Sequence, residues 1–560
     1  MKQCLECNSR FDVLPVEREY YKRIAFRTSR GEYPLLDPQQ CPQCRGRQRT
    51  AFRNQRSLHK RSCDFCKRNH ITLYSPDDPR PVICQQCFFS DRWNVLDYGI
   101  DVDKSRSFLD QLAELFLITP RLGVMNQQSE NSEYCNYSFS NKNCYLVFSS
   151  HYEQDCLYGN CSSRDRNCVD YHWLYNCELC YECLFSADCY RSIYLDHCSG
   201  CLDCGFSRDL RSCKNCLFCA NLRNAEYCVF NEQLSKEEYL SKKATFELQT
   251  YSGLIRARDR YFGKFRQMFP FRAVYQTRCE NCEGTNHTNS KNLVACFEAD
   301  KSEDCIHSTY LGSTFDCVDV NYAGFDRCEL CYQAIGITNL SNSICVDSCW
   351  HGGNLAYCAY CFSSNNCFGC ISLQRGEYCI LNKAYDRREY EALVDQIISS
   401  MMERKEWGVF FPRSMSPFNY RETVAQNWFP LTDVAAKAFG YHQRDQVQDY
   451  GGKAVDSMPE TIDTVDDSLL SSIWLCNECG KNFRVVSAEL SFYRSLQLPM
   501  PRNCIDCRQH RRLDLHSPWK LFNRACGRCK SPIQTTFSVE QPEEVICENC
   551  FEQVAYNLNT

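Results

Sequence analysis

Residues 177–204 read CELCYECLFSADCYRSIYLDHCSGCLDC, and every cysteine in them falls on a position divisible by three. The pattern extends outward. From Cys135 the cysteines step by 21, through Cys156, Cys177, Cys198 and Cys219, and Cys328, Cys349 and Cys370 continue the step further on. A fixed period of this length predicts stacked repeats, each completing its core only with its neighbours. The segments are short, rich in Tyr, Phe, Cys and Ser, and broken by Asn, Asp and Gly, which suits strands turning corners. The expectation is a parallel β-helix-like solenoid with one coil per 21-residue repeat.

The region is a tandem copy. Cys177-Glu-Leu-Cys180-Tyr181 returns as Cys328-Glu-Leu-Cys331-Tyr332, and Glu226-Tyr227-Cys228 returns as Glu377-Tyr378-Cys379, both at an offset of 151. Each copy runs into a capping box, Ser235-Lys-Glu-Glu238 and Asp386-Arg-Arg-Glu389, so each is expected to end in a helix that covers the stack. Two readings of the central cysteines stay open. They are either an inward ladder of small apolar side chains or metal ligands, with Cys177/Cys180 lying over Cys198/Cys201. Cys279/Cys282 is a lone knuckle.

Both ends carry Cys-x-x-Cys pairs at almost one spacing. The first set is Cys4/Cys7, Cys41/Cys44, Cys63/Cys66 and Cys84/Cys87. The second is Cys476/Cys479, Cys504/Cys507, Cys526/Cys529 and Cys547/Cys550, and its last three pairs repeat the first set at an offset of 463. Two such knuckles supply four thiolates to a tetrahedral ion, so two sites per module and about four structural Zn2+ in all are expected, with iron as the competing metal. Basic stretches follow Cys44 and Cys507, and a helix opening at the last knuckle would give a treble clef. Arg45, Arg47, Arg49, Arg53, Arg56, Lys60 and Arg61, with Arg508, Arg511, Arg512, Lys520 and Arg524, are the candidate nucleic-acid contacts, because positive charge neutralises phosphates.

The chain has 560 residues, 46 cysteines and a formal net charge of −5. Residues 1–93 alone carry 18 Lys/Arg against 10 Asp/Glu, a formal +8. No apolar run approaches a membrane span and no export signal is evident, so the expectation is a cytoplasmic protein with reduced thiols. There is no phosphate-binding Gly-rich loop, no Gly-x-Ser-x-Gly and no His-Glu-x-x-His, so no enzyme and no small-molecule substrate is expected.

The organisation expected is a tandem zinc-ribbon module over 1–97 and a helical connection over 98–130. The first solenoid copy with its cap spans 131–245, a helical basic insert 246–290 and the second copy 291–404. An aromatic docking segment over 405–455, an acidic linker over 456–470 and a second ribbon module over 471–560 complete the chain. The fold class is mainly β, with ribbons flanking the duplicated solenoid.

The run Cys476-Asn-Glu-Cys479-Gly-Lys-Asn-Phe483, with Glu489, Phe492-Tyr493 and Pro501-Arg502-Asn503-Cys504-Ile-Asp-Cys507-Arg508, resembles a bacterial family of treble-clef zinc-ribbon domains. The whole chain resembles zinc-ribbon proteins of candidate-phylum bacteria. Its markers are Arg53-Asn54, Arg61-Ser62-Cys63, Ser90-Asp91-x-Trp93, Glu130-Asn131-Ser132-x-Tyr134 and Glu406-Trp407-Gly408-x-Phe410-Phe411-Pro412. The resemblance implies metal binding and architecture, and it names no activity. The leading functional expectation is a zinc-binding scaffold recognising a macromolecular partner. Nucleic-acid binding through the basic stretches is one alternative, and metal storage or thiol redox chemistry at the central cysteines is another.

Overall fold

From Tyr137 to Phe230 every third residue sits in the left-handed region, with φ near +50° to +60° at positions as bulky as Trp173, Phe185 and Tyr194. Two extended residues and one left-handed residue turn a corner. The computed structural model, which describes residues 1–324, 328–329, 331–336, 340–443 and 458–557, shows the chain returning beside itself after four such triplets. The ladders are parallel, with Leu157 opposite Val169, Ile193 opposite Gly205 and Lys214 opposite Glu226. The same twelve-residue register runs through the second half, from Lys291 opposite Glu303 to Asn365 opposite Glu377. Two places depart from it: a bulge between Cys282 and Gly284, and Val318 opposite Tyr332.

The expected 21-residue coil is therefore corrected to twelve. Twenty-one is seven triplets, so it preserves the inward phase while climbing two turns less one side. Cysteines recur at it because both lengths are multiples of three.

The triplet explains the composition. A left-handed corner costs a non-glycine residue about 1–2 kcal/mol, and it leaves backbone groups without ladder partners, which burial would penalise. Small inward side chains meet both needs. Ser186 donates its hydroxyl to the Leu184 carbonyl at 2.7 Å and accepts the Cys198 N–H at 3.1 Å. Ser162 and Ser207 accept from Leu174 and Cys219 in the same way. Cysteine thiols donate to carbonyls two residues back and nine residues on, as Cys180 does to Glu178 and Cys189. The winding's interior is filled by these thiols, with Leu and Val between them. Among the described residues no cysteine is in a disulfide.

Each winding ends in a strand that turns back, Glu232–Gln233 after Glu226–Val229 and Lys383–Ala384 after Glu377–Ile380. A helix follows. Ser235 caps Lys236–Ala244 with the reciprocal Glu238 bond, and Asp386 caps Arg387–Glu403. Tyr239 and Tyr390, both buried, close the stack ends against Tyr227 and Tyr378.

The chain divides into two compact units. One comprises Met1–Val124, Tyr275–Arg444 and Pro518–Leu521. The other comprises Met125–Val274, Asp445–Ser517 and Phe522–Thr560. Thus the amino-terminal module belongs with the second winding, and the carboxyl-terminal module with the first. In the first unit the helical connection expected over 98–130 holds one α-helix before Val124, Phe108–Ile118, capped by Ser107. Trp407 lies against Tyr357 and Phe368 of the winding.

In the second unit, Tyr261 and Phe265 pack on the stacked rings of Phe206 and Phe218. Of the acidic linker expected over 456–470, residues 458–470 are described, and 456 and 457 lie outside the described residues. Ile462, Val465 and Leu469 are buried in the core, and Tyr251 donates its N–H to the Glu460 carbonyl at 2.8 Å. Three aliphatic anchors hold the stretch despite its charge. Among the described residues no helix is long and apolar enough to cross a membrane.

Candidate metal centres

Each terminal cluster is built from a two-stranded antiparallel hairpin and the start of a helix. Lys2–Gln3 pairs with Arg10–Phe11 around Cys4 and Cys7, and Cys41 caps the helix Pro42–Thr50 that carries Cys44. Trp474–Leu475 pairs with Asn482–Phe483 around Cys476 and Cys479, and Cys504 caps Ile505–Leu513. The second cluster of each module repeats this with the hairpins His59–Ser62/Asn69–Thr72 and Phe522–Ala525/Pro532–Thr535. Their helices are Gln85–Phe88 and Glu548–Asn557. In all four, the residue after the second knuckle cysteine (Asn8, Lys67, Gly480, Lys530) is left-handed, which turns both sulfurs inward.

The four sulfurs of each set lie within 4.8 Å of one another: Cys4, Cys7, Cys41, Cys44; Cys63, Cys66, Cys84, Cys87; Cys476, Cys479, Cys504, Cys507; and Cys526, Cys529, Cys547, Cys550. A tetrahedron with zinc–sulfur bonds of about 2.3 Å has edges of about 3.8 Å. The sulfur pairs match that edge, with Cys7–Cys41 and Cys476–Cys507 at 3.8 Å, Cys66–Cys84 at 3.9 Å, and Cys479–Cys504 and Cys529–Cys547 at 3.7 Å. All four groups could hold a metal ion.

Backbone donors surround the thiolates. The N–H of Cys41 reaches Cys4 Sγ at 3.3 Å, that of Cys504 reaches Cys476 Sγ at 3.2 Å, and that of Cys547 reaches Cys526 Sγ at 3.3 Å. Burial raises the Cys476 thiol, but the N–H groups of Cys479, Cys504 and Glu478 outweigh it and bring it down to about 7. The same contest takes Cys526 down to about 6. Arg92 donates to Cys87 Sγ at 3.0 Å, offsetting thiolate charge.

The central cysteines are not gathered in this way. Among the described residues the groups with metal-ligand geometry are the four terminal ones, and neither Cys177/Cys180/Cys198/Cys201 nor Cys279/Cys282 is among them. With a twelve-residue turn, Cys189 is the neighbour of both Cys177 and Cys201, so the quartet expected from a 21-residue coil is pulled apart. Burial keeps such thiols protonated, pushing Cys135 up to about 12.

The basic stretches require a correction. Arg45, Arg49, Arg53, Arg508 and Arg512 are at most 2% exposed. Arg45 Nε and Arg49 Nη1 reach the two carboxylate oxygens of Asp319 at 2.8 and 3.0 Å. Arg508 and Arg512 reach those of Asp170 at 2.9 Å each. Arg53 lies 4.2 Å from the Tyr322 ring centre. Arg47 pairs with Glu6, Arg511 with Glu182 at 3.0 Å and Arg61 with Asp64 at 3.2 Å, while Arg524 donates to the Ser538 and Glu543 carbonyls. Arg56 is half-buried, and Lys60 and Lys520 are exposed. A helix that docks on a strand through its cations cannot offer them to phosphates.

Sequence reasoning missed the acceptors. Asp170 and Asp319 occupy left-handed corners of the windings, fully buried, and burial works against the charge of Asp319 while its paired guanidiniums hold that carboxyl below the usual range. For Asp319 those guanidiniums are Arg45 and Arg49. The partner helices carry matching support: Arg45 Nη2 lies 3.4 Å from the Tyr21 hydroxyl, and Arg508 Nη1 lies 2.9 Å from both Tyr493 and Glu489. A repeated Glu-x-x-x-Tyr, Glu17/Tyr21 and Glu489/Tyr493, was the available signal. Against known protein families the chain matches no family model, and no curated protein matches it significantly.

Proposed function

We propose that the protein is a zinc-binding scaffold that recognises a macromolecular partner, its core a β-solenoid and its terminal modules treble-clef grips. The observation that carries the reading is the four tetrathiolate sets with sulfur spacing fitted to a tetrahedral ion. Four thiolates complete the coordination of zinc, so such an ion holds shape and leaves no position for a reacting ligand. Among the metals that accept four thiolates, zinc suits a site that needs no redox change.

A protein partner fits better than a nucleic acid. Arg45, Arg49, Arg508 and Arg512, four of the arginines that would contact phosphates, are consumed by Asp319 and Asp170, whereas large apolar side chains stand exposed at the knuckles. Leu5, inside the first knuckle, is 75% exposed, and Phe65 and Leu475 stand at two others. Elemental analysis of purified protein tests the metal reading, which expects about four zinc per chain. Co-purification in high salt tests the partner. A protein that stays bound in salt and is lost on Leu5→Ser with Phe65→Ser supports the reading, and a salt-labile nucleic acid overturns it.

A further inference from the structure

Cys41 and Cys504 each serve twice, as a cluster cysteine and as the cap of a nine-residue helix. Such a helix is too short to hold itself, so its first turn depends on the two sulfurs, Cys41 and Cys44 or Cys504 and Cys507, being tied to the hairpin knuckle. The arginines that dock it come immediately after. Arg45 and Arg49, one turn apart on one face, close on Asp319 of the strand Phe315–Asn321. Arg508 and Arg512 close on Asp170 of the strand Val169–Tyr175. The second clusters lead to other contacts. Phe88 packs edge-on against Phe362, and Val545–Ile546 pairs with Phe271–Arg272.

We propose that the first cluster of each module is a metal-dependent latch, fastening the module to its winding through the paired arginines, and that the second cluster is not. The proposal rests on the reading that the clusters bind metal. Loss of the ion frees the helix start, the two guanidiniums lose their aim, and a buried carboxylate is left without partners, so the strand beneath opens. Each latch has one accessible ligand, since Cys7 and Cys479 are exposed while the other three cysteines are buried. A chelator for soft divalent ions therefore has a point of entry.

The test compares Cys7→Ser with Cys66→Ser in the full chain, reading metal content and hydrogen exchange of peptides covering 42–50 and 315–321. Cys7→Ser is expected to lose about one metal equivalent and to speed exchange in both peptides about tenfold or more, while Cys66→Ser loses one and leaves 315–321 within about twofold. If Cys7→Ser loses metal and 315–321 stays protected, the latch is overturned and the metal reading survives. If wild-type protein is folded without metal, the metal reading itself falls. Should Cys7→Ser not accumulate as folded protein, wild type is titrated with chelator. Exposure of 315–321 must then follow alkylation of Cys7; exposure that follows alkylation of Cys66 refutes the latch.

Discussion

Glu298 offers the sharpest quantitative test of this packing. It occupies a left-handed corner of the second winding, fully buried, and its Oε2 accepts the Trp519 indole N–H at 2.9 Å. Burial lifts its carboxyl from an ordinary 4.5 to about 8, with bonds from Trp519 and Asn286 opposing the rise. The folded state thus keeps a proton that the unfolded chain releases above pH 4.5, so stability falls as pH rises between 4.5 and about 8. The slope is about 1.4 kcal/mol per pH unit, which accumulates to about 3 kcal/mol by pH 7.

Glu298→Gln keeps an acceptor for the indole and carries no titrating proton. Its advantage over wild type should grow by about 3 kcal/mol between pH 4.5 and 7 and level off near pH 8. Denaturant unfolding read by tryptophan fluorescence suits the site, because Trp519 stacks on Trp428 with ring centres 4.3 Å apart. Stability curves that stay parallel from pH 4.5 to 8 would show that the carboxyl is ionised throughout and refute the reasoning.

Asp319→Asn, and separately Asp170→Asn, should each destabilise its own unit by about 3–5 kcal/mol, because two buried guanidiniums lose the carboxylate they share. Unit-resolved hydrogen exchange checks this, and a loss below about 1 kcal/mol would make the pairs dispensable. Gly159→Ala should cost about 1–3 kcal/mol in thermal or denaturant unfolding, since the new Cβ would lie 2.0 Å from the Tyr171 ring, whose hydroxyl is tied to Glu153. Glu153→Gln should raise stability at neutral pH and lose that advantage in acid. Burial and the neighbouring Asp165 push the Glu153 carboxyl well up, so the folded state loses stability as pH climbs past the ordinary carboxylate range. A pH-independent effect in thermal unfolding would contradict the assignment.

The four cysteine sets were legible because a knuckle's chemistry is local: four thiolates at fixed spacing, a left-handed residue after each hairpin pair and a helix at the second pair follow from short stretches of chain. The phase of the central cysteines was legible too, since a three-residue corner puts every third side chain inside. The turn length was not. Steps of 12 and 21 preserve the same phase, and only the pairing of Leu157 with Val169 chooses between them. The aliphatic anchors Ile462, Val465 and Leu469 were hidden for a related reason: their spacing acquires meaning only when a core lies beneath them.

The amino-acid sequence by itself determined the duplicated plan, the sixteen terminal cysteines and the inward rhythm of the centre, because each depends on neighbours a few residues away. Tertiary structure decided which carboxylates the basic stretches meet. Arg49 and Asp319, like Arg512 and Asp170, lie hundreds of residues apart, and an arginine's role depends on whether a carboxylate waits for it in a place water cannot reach. Modules and windings cross, first with second and second with first, and one of those buried charge clusters lies within each unit. Buried ion pairing is a property of assembled surfaces, and no local pattern of residues carries it.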